Sequence, residues 1–190
     1  MRYVTIFFGA IVLVLGVYVA GVYMNLYGEL EEPGVSVNSE IPKNLVQNKL
    51  IAQEPFGKTK QILFGDTHVH TTYSTDAFFW SLPIMNGEGP HPISDACDFA
   101  RFCANLDFWV STDHAEALTP RKWKSIKEAV RSCNAPTDTT DPDLVTFLGY
   151  EWTQVGTNAE SHYGHKNVMF LDIEENKTPK RAIGAGGVAT

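Results

Sequence analysis

A surplus of positive charge is missing from this sequence. Its 15 lysines and arginines are outnumbered by 22 aspartates and glutamates, for a formal charge of −7. A nucleic-acid partner calls for a basic face, so that class is excluded. The basic residues that do cluster are Arg121, Lys122, Lys124, Lys127 and Arg131. Their spacing predicts the wet side of one helix. Internal repeats and low-complexity tracts are also absent. Cysteine is scarce, with three in the chain. Cys97 and Cys103 fall on one expected helix, too far apart to bridge at a rise of about 1.5 Å per residue. Cys133 can pair with one of them and leave one thiol free; three small buried apolar residues are the alternative.

Charge of either sign is missing from Val4 to Met24, the run "VTIFFGAIVLVLGVYVAGVYM". About twenty apolar residues span a bilayer core as a helix. Arg2 precedes the run, and Glu29, Glu31 and Glu32 follow it, which predicts a cytoplasmic N-terminus with the rest outside. The expectation is an uncleaved anchor over residues 1–28, with the lipid bilayer as a partner and a periplasmic or extracellular domain. A cleaved signal peptide is the competing reading, against which stand the length of the run and the lack of a small-x-small site. Residues 29–60 are polar, hold three prolines and read as a stalk.

What is present from Gln61 onward is an alternation of strands and helices. With 190 residues, 44% of them apolar, the chain has enough for one packed domain and an appendage. "QILFGDTH", "DFWVSTDH", "DLVTFLGYEW" and "HKNVMFLDI" read as strands. In the second, Phe108 and Val110 point to one side and Trp109 to the other. "PISDACDFARFCANL" has helical spacing at Ile93, Ala96, Cys97, Ala100, Cys103 and Ala104. Thr119 and Pro120 supply an N-cap and first residue for a helix burying Trp123, Ile126, Val130 and Cys133. Such alternation predicts an α/β fold with a parallel sheet, open or closed into a barrel.

Ligands in such folds bind beyond the carboxyl ends of the strands. His68 and His70 follow the first strand, Asp113 and His114 the second, Glu151 the third; His165 lies just before the fourth. Residues i and i+2 share a strand face, so His68 and His70 can chelate one zinc, manganese or iron ion. Asp76 adds a hard oxygen ligand from the next loop.

In order along the chain, "GDTHVHTTYSTDA", "DFWVSTDHAE", "LGYEWT" and "GHKNVMF" resemble the polymerase and histidinol phosphatase (PHP) superfamily. The resemblance covers roughly Ile62 to Leu171 and points to an uncharacterised exported branch, domain of unknown function family 3604. It implies a distorted barrel of seven parallel strands with two or three divalent transition-metal ions (Zn, Mn or Fe) at its C-terminal mouth. By resemblance, His68 and His70 hold a first metal, Glu151 bridges it to a second held by His165, and Asp76 with His114 holds a third. The family's later histidine and closing Asp-x-His pair have no counterpart before Thr190. Residues 61–190 are therefore expected to be an incomplete PHP-type barrel, about its first half, in which each ion lacks a protein ligand, so that this piece alone binds metal weakly and is inactive.

The implied activity is that of a metal-dependent hydrolase, most simply a phosphoesterase acting on a small molecule. Glu151 and Asp113 are the candidate catalytic residues. Asp66 and Asp113 are expected to orient imidazoles through their free ring nitrogens, with strand-end or capping roles as the alternative. Tyr73 can reach a substrate oxygen, or pack as tyrosines more often do. His162 competes with His165, which is preferred because it opens a strand, and His91 is incidental. "FFWSLPIM", Phe78 to Met85, either walls a substrate pocket or packs on further parts of a barrel. An amidohydrolase-like amide or ester hydrolase and a non-catalytic, metal-stabilised binding module are the rival functions.

Overall fold

The computed structural model describes residues 2–24, 26, 34–56, 62–136, 140 and 142–185. Glu29, Glu31 and Glu32, the strand start at Gln61 and residues 186–190 lie outside the described residues. Helix α1 covers Arg2–Tyr23, and its Arg2–Gly21 stretch, with a mean hydropathy of 2.4, is long and apolar enough to cross a membrane. Its apolar side chains are almost wholly exposed, as in a signal anchor or a signal peptide.

The stretch read as a stalk contains helix α2, Lys43–Gln53. None of its side chains is buried, so no apolar stripe marks it in the sequence. Polar bonds dock it instead. Lys49 Nζ pairs with Asp107 at 2.6 Å, and Asn105 Nδ2 donates to the carbonyl of Leu45 at 3.0 Å. Ahead of it, the N–H of Val37 donates to Asp98 Oδ1 at 2.9 Å.

Four strands form one sheet in the order β1 (Gly65–Val69), β2 (Phe108–Ser111), β3 (Val145–Gln154) and β4 (Gly164–Phe170). The first three are parallel, and β4 runs antiparallel to β3. The all-parallel expectation is thus corrected at β4. Only residues 155–163 separate it from β3, fewer than the dozen or so a parallel crossover needs. The sheet curls into a half-barrel. Asn167 Nδ2 on β4 donates to Thr67 O on β1 at 2.7 Å, joining the two outer strands.

Alternation along the strands sorts side chains between the two faces of the curl. Phe108, Val110 and Phe147 line an inner apolar cavity of about 390 Å3 with Met169. Leu148 and Tyr150 face outward to the long helix α5, Pro120–Asn134. Thr119 caps α5 by accepting from the N–H of Lys122 at 3.2 Å, and Trp123, Ile126, Val130 and Cys133 are buried as the spacing predicts. Trp123 meets Tyr150 and Phe170 edge to face, with centroids 5.8 and 6.2 Å away. The wet-face reading of the basic cluster fails at Lys127. It is 3% exposed and pairs with Glu175, while Arg131 donates to the Ile173 carbonyl at 2.7 Å.

Helix α4, Ile93–Asp98, runs on into a π-helical turn, Phe99–Cys103. The wider turn shifts the helical phase, which leaves Cys103 exposed and free although its spacing predicted burial. Cys97 pairs with Cys133, tying α4 to α5. Closing a loop of 36 residues stabilises such a fold by about 4 kcal/mol. Arg101 covers this bridge, with Nε on Asp143 at 2.8 Å and Nη2 on the Cys133 carbonyl at 2.8 Å.

Candidate metal centre

Parallel strands β1, β2 and β3 all end at one edge of the sheet, and antiparallel β4 begins there. That reversal is why His165, near the start of its strand, joins residues near or just past the ends of theirs. Thr153 and His165 are register partners, and His114 forms a single bridge beside Glu151. Two glycines keep the edge in shape. A Cβ on Gly149 would stand 2.6 Å from the Val168 carbonyl oxygen, so only glycine lets β3 lie flush two residues before Glu151. Gly164, at φ +73°, takes the left-handed turn that aims His165 into the mouth.

The Glu151 carboxylate sits at the centre, its side chain 1% exposed. Its Oε2 lies 2.8 Å from His70 Nε2, 3.3 Å from His114 Nδ1 and 3.4 Å from His68 Nε2. His165 Nδ1 contacts the other oxygen, Oε1. Although surrounded, Oε2 makes no directed hydrogen bond among the described residues. The Nε2 atoms of His68 and His70 face each other at 3.0 Å. Imidazole nitrogens converging on a carboxylate oxygen that has no directed bond form a donor set suited to a shared cation. On the other side of His70, Asp76 Oδ2 lies 3.1 Å from Nδ1 and also 3.5 Å from His114 Nε2.

Three groups have ligand atoms close enough for one ion: His68, His70 and Glu151; His70, Asp76 and His114; and His114, Glu151 and His165. All six proposed ligands fall within them, and Glu151 belongs to two. The donor set is imidazole and carboxylate, which suits zinc, manganese or iron. Burial works against ionisation of Glu151, but His114 and His165 outweigh it and hold its carboxyl below the usual range. For Asp76 burial is likewise opposed, by the Ala77 N–H and by His70 and His114, and its carboxyl also lies low.

The residues expected to orient the rings do something else. Asp113 is fully buried and accepts from the Thr71 N–H at 2.6 Å and the Thr71 hydroxyl at 2.8 Å. It braces the loop after β1 against the end of β2 rather than an imidazole. Burial pushes its carboxyl up, against the pull of those bonds. Asp66 accepts from the backbone N–H of His68 at 2.9 Å, within β1 where its register with β2 is irregular. Tyr73 is 2% exposed and packed in the core, because the turn over residues 71–74 points it inward, away from any substrate. His162 contacts the Gly156 carbonyl and His91 pairs with Asp95, and neither enters a ligand group.

Three contributors escaped the sequence reading. Thr153 Oγ1 lies 2.8 Å from His114 Nδ1 and 3.4 Å from His165 Nδ1. Its position two residues after Glu151, on the same strand face, was the available signal. Ser74 Oγ accepts from the His114 N–H at 2.8 Å, which no local pattern announces. Glu116, two residues after His114, accepts from the N–H groups of Thr153 and Ala185 through Oε1.

Residues 57–122 match the model of a family described as "Protein of unknown function (DUF3604)". The matched stretch holds β1, β2 and His68, His70, Asp76, Asp113 and His114, whereas Glu151 and His165 lie beyond it. No curated protein and no solved structure matches the chain.

Proposed function

We propose that this chain is the metal-binding part of a hydrolase of the PHP type, acting on small phosphoesters outside the cytoplasm behind an N-terminal signal anchor. The observation that carries the reading is the environment of Glu151. A buried carboxylate ringed by imidazoles from β1, β4 and the end of β2 is costly unless a cation accompanies it. The curled sheet is in keeping with part of a PHP-type barrel, and phosphoester specificity rests on the resemblance of the four motifs. The buried Cys97–Cys133 bridge favours an oxidising compartment and hence export.

Two or three divalent ions, when bound, would supply Lewis acidity, lowering the pKa of a bound water towards neutrality and offsetting charge growing on an attacked phosphorus. His68, His70 and Glu151 would hold one, Glu151 with His165 a second, and Asp76 with His114 a third. Glu151 would be the carboxylate shared between two ions, since its two oxygens face different imidazoles, Oε2 towards His68 and His70 and Oε1 towards His165. Asp113 and Ser74 hold the loop of His70 and the backbone of His114 in place through Thr71 and the His114 N–H. Thr153 restrains the rings of His114 and His165.

Elemental analysis of the complete domain purified without chelator, with a screen of generic phosphoesters, tests the proposal. Two to three equivalents of transition metal with phosphatase activity are expected. A metal-free, inert protein overturns it in favour of a binding module.

A further inference from the structure

Helix α3, Thr75–Ser81, carries more than a metal ligand. Asp76, Phe79 and Trp80 stand three and four residues apart, so one helix face presents all three. The two rings meet edge to face with centroids 6.4 Å apart, and they are 53% and 64% exposed. They wall a largely apolar cleft of about 670 Å3 that Asp76, His114, Glu116 and Thr153 also line. Asp76 and His114 belong to the ligand groups, so the cleft opens directly onto the cluster. Its volume suits a small organic molecule. Single exposed aromatics are ordinary, but two on the ligand-bearing face of a short helix leave apolar area that a bound group would cover.

We infer that this cleft receives the organic part of the substrate, and that this part is an uncharged aryl or similarly flat apolar group. The inference rests on the hydrolase reading for the word substrate, while the binding it describes needs no turnover. Flat groups stack against aromatic corners with contact area and favourable ring-edge geometry. The Glu116 carboxylate in the lining disfavours a second anionic group there, which leaves the phosphoryl end to the ligand cluster.

The test compares naphthylphosphonate with methylphosphonate, by calorimetry, on the full chain in detergent loaded with Mn2+. Neither probe has an ester bond, so affinity is read without hydrolysis. The naphthyl probe is expected to bind about tenfold more tightly, a gap shrinking to about twofold in Phe79→Ala/Trp80→Ala while methyl affinity stays unchanged. If the double variant fails to fold, each single variant is expected to lose part of the gap. Equal affinities in the unaltered chain, a gap that survives the substitutions, or no binding of either probe overturns the inference. A gap without phosphoester turnover keeps the cleft and sinks the hydrolase reading; turnover without a gap does the reverse. Loss of binding to phosphatidylcholine vesicles in the double variant, with the gap intact, assigns the rings to a bilayer surface and overturns the inference too.

Discussion

Arg101 and Glu151 are both buried charges, with side chains 3% and 1% exposed, and the fold treats them in opposite ways. Each Arg101 nitrogen has a partner: Asp143, the Cys133 carbonyl and, at 3.6 Å, Cys97 Sγ. Glu151 instead keeps an oxygen without a directed bond while imidazole nitrogens crowd it. A charge whose partners are complete serves the fold. A charge whose partners are imidazoles that could themselves ligate a cation, and are partly open to solvent, marks a candidate site. Asp113 stands between the two, satisfied like Arg101 but directly behind the ligands.

The comparison breaks first at Glu151. Replacing Glu151 with Gln is expected to lower phosphoester turnover by at least about 1,000-fold, or about 4 kcal/mol of activation free energy. Metal-free stability should change by less than about 1 kcal/mol. Mn2+ at about 100 times its Kd should stabilise the unaltered chain by about 2.7 kcal/mol and the variant hardly at all. Equal stabilisation of both by Mn2+, read by thermal unfolding, would remove Glu151 from the centre.

Reducing the Cys97–Cys133 bridge should cost about 4 kcal/mol in urea unfolding and leave the metal stoichiometry unaltered in the fraction that stays folded. Arg101→Ala strands Asp143 and exposes the bridge, at about 3 kcal/mol with unchanged metal affinity. A loss below about 1 kcal/mol would class Arg101 with ordinary surface charges. Asp113→Ala leaves the Thr71 N–H and hydroxyl proton without their acceptor, at about 2 kcal/mol, and should also weaken metal binding about tenfold by loosening the loop of His70. Full metal affinity in that variant would make Asp113 purely structural.

The smallest effect belongs to Glu175, whose carboxyl the Lys127 and Arg131 side chains hold below the usual range. A depressed folded value means its contribution is present above the unfolded value, about 4.3, and is lost as pH falls through the folded one. The stability difference between the unaltered chain and Glu175→Gln should thus be constant above about pH 5 and close on acidification. A difference independent of pH down to about pH 3 would show that the pair contributes nothing electrostatic.

Much of the fold was legible because it depends on local periodicity. The cap at Thr119, the buried stripe of α5 and the alternation of Phe108, Trp109 and Val110 follow from helical and strand spacing. What escaped has no such signature. Helix α2 docks through polar bonds, the π-helical turn displaces Cys103, and Lys127 is buried by a segment some fifty residues away. At the site, His68 and His70 were readable from their spacing, whereas the partners of Asp66, Asp113 and Tyr73 were set by local bends and tertiary contacts that no pattern encodes.

By itself, the sequence determined which residues could ligate a cation, because imidazole and carboxylate chemistry at strand ends is written in the chain. It also determined the apolar N-terminal helix, because composition alone sets that property. Only the tertiary structure decided the rest: that β4 reverses direction, that Cys97 rather than Cys103 meets Cys133, and that Asp113 braces Thr71 instead of a ring. The reason is distance along the chain. Residues forty to a hundred positions apart become neighbours through the curl of the sheet, and no local rule carries that information.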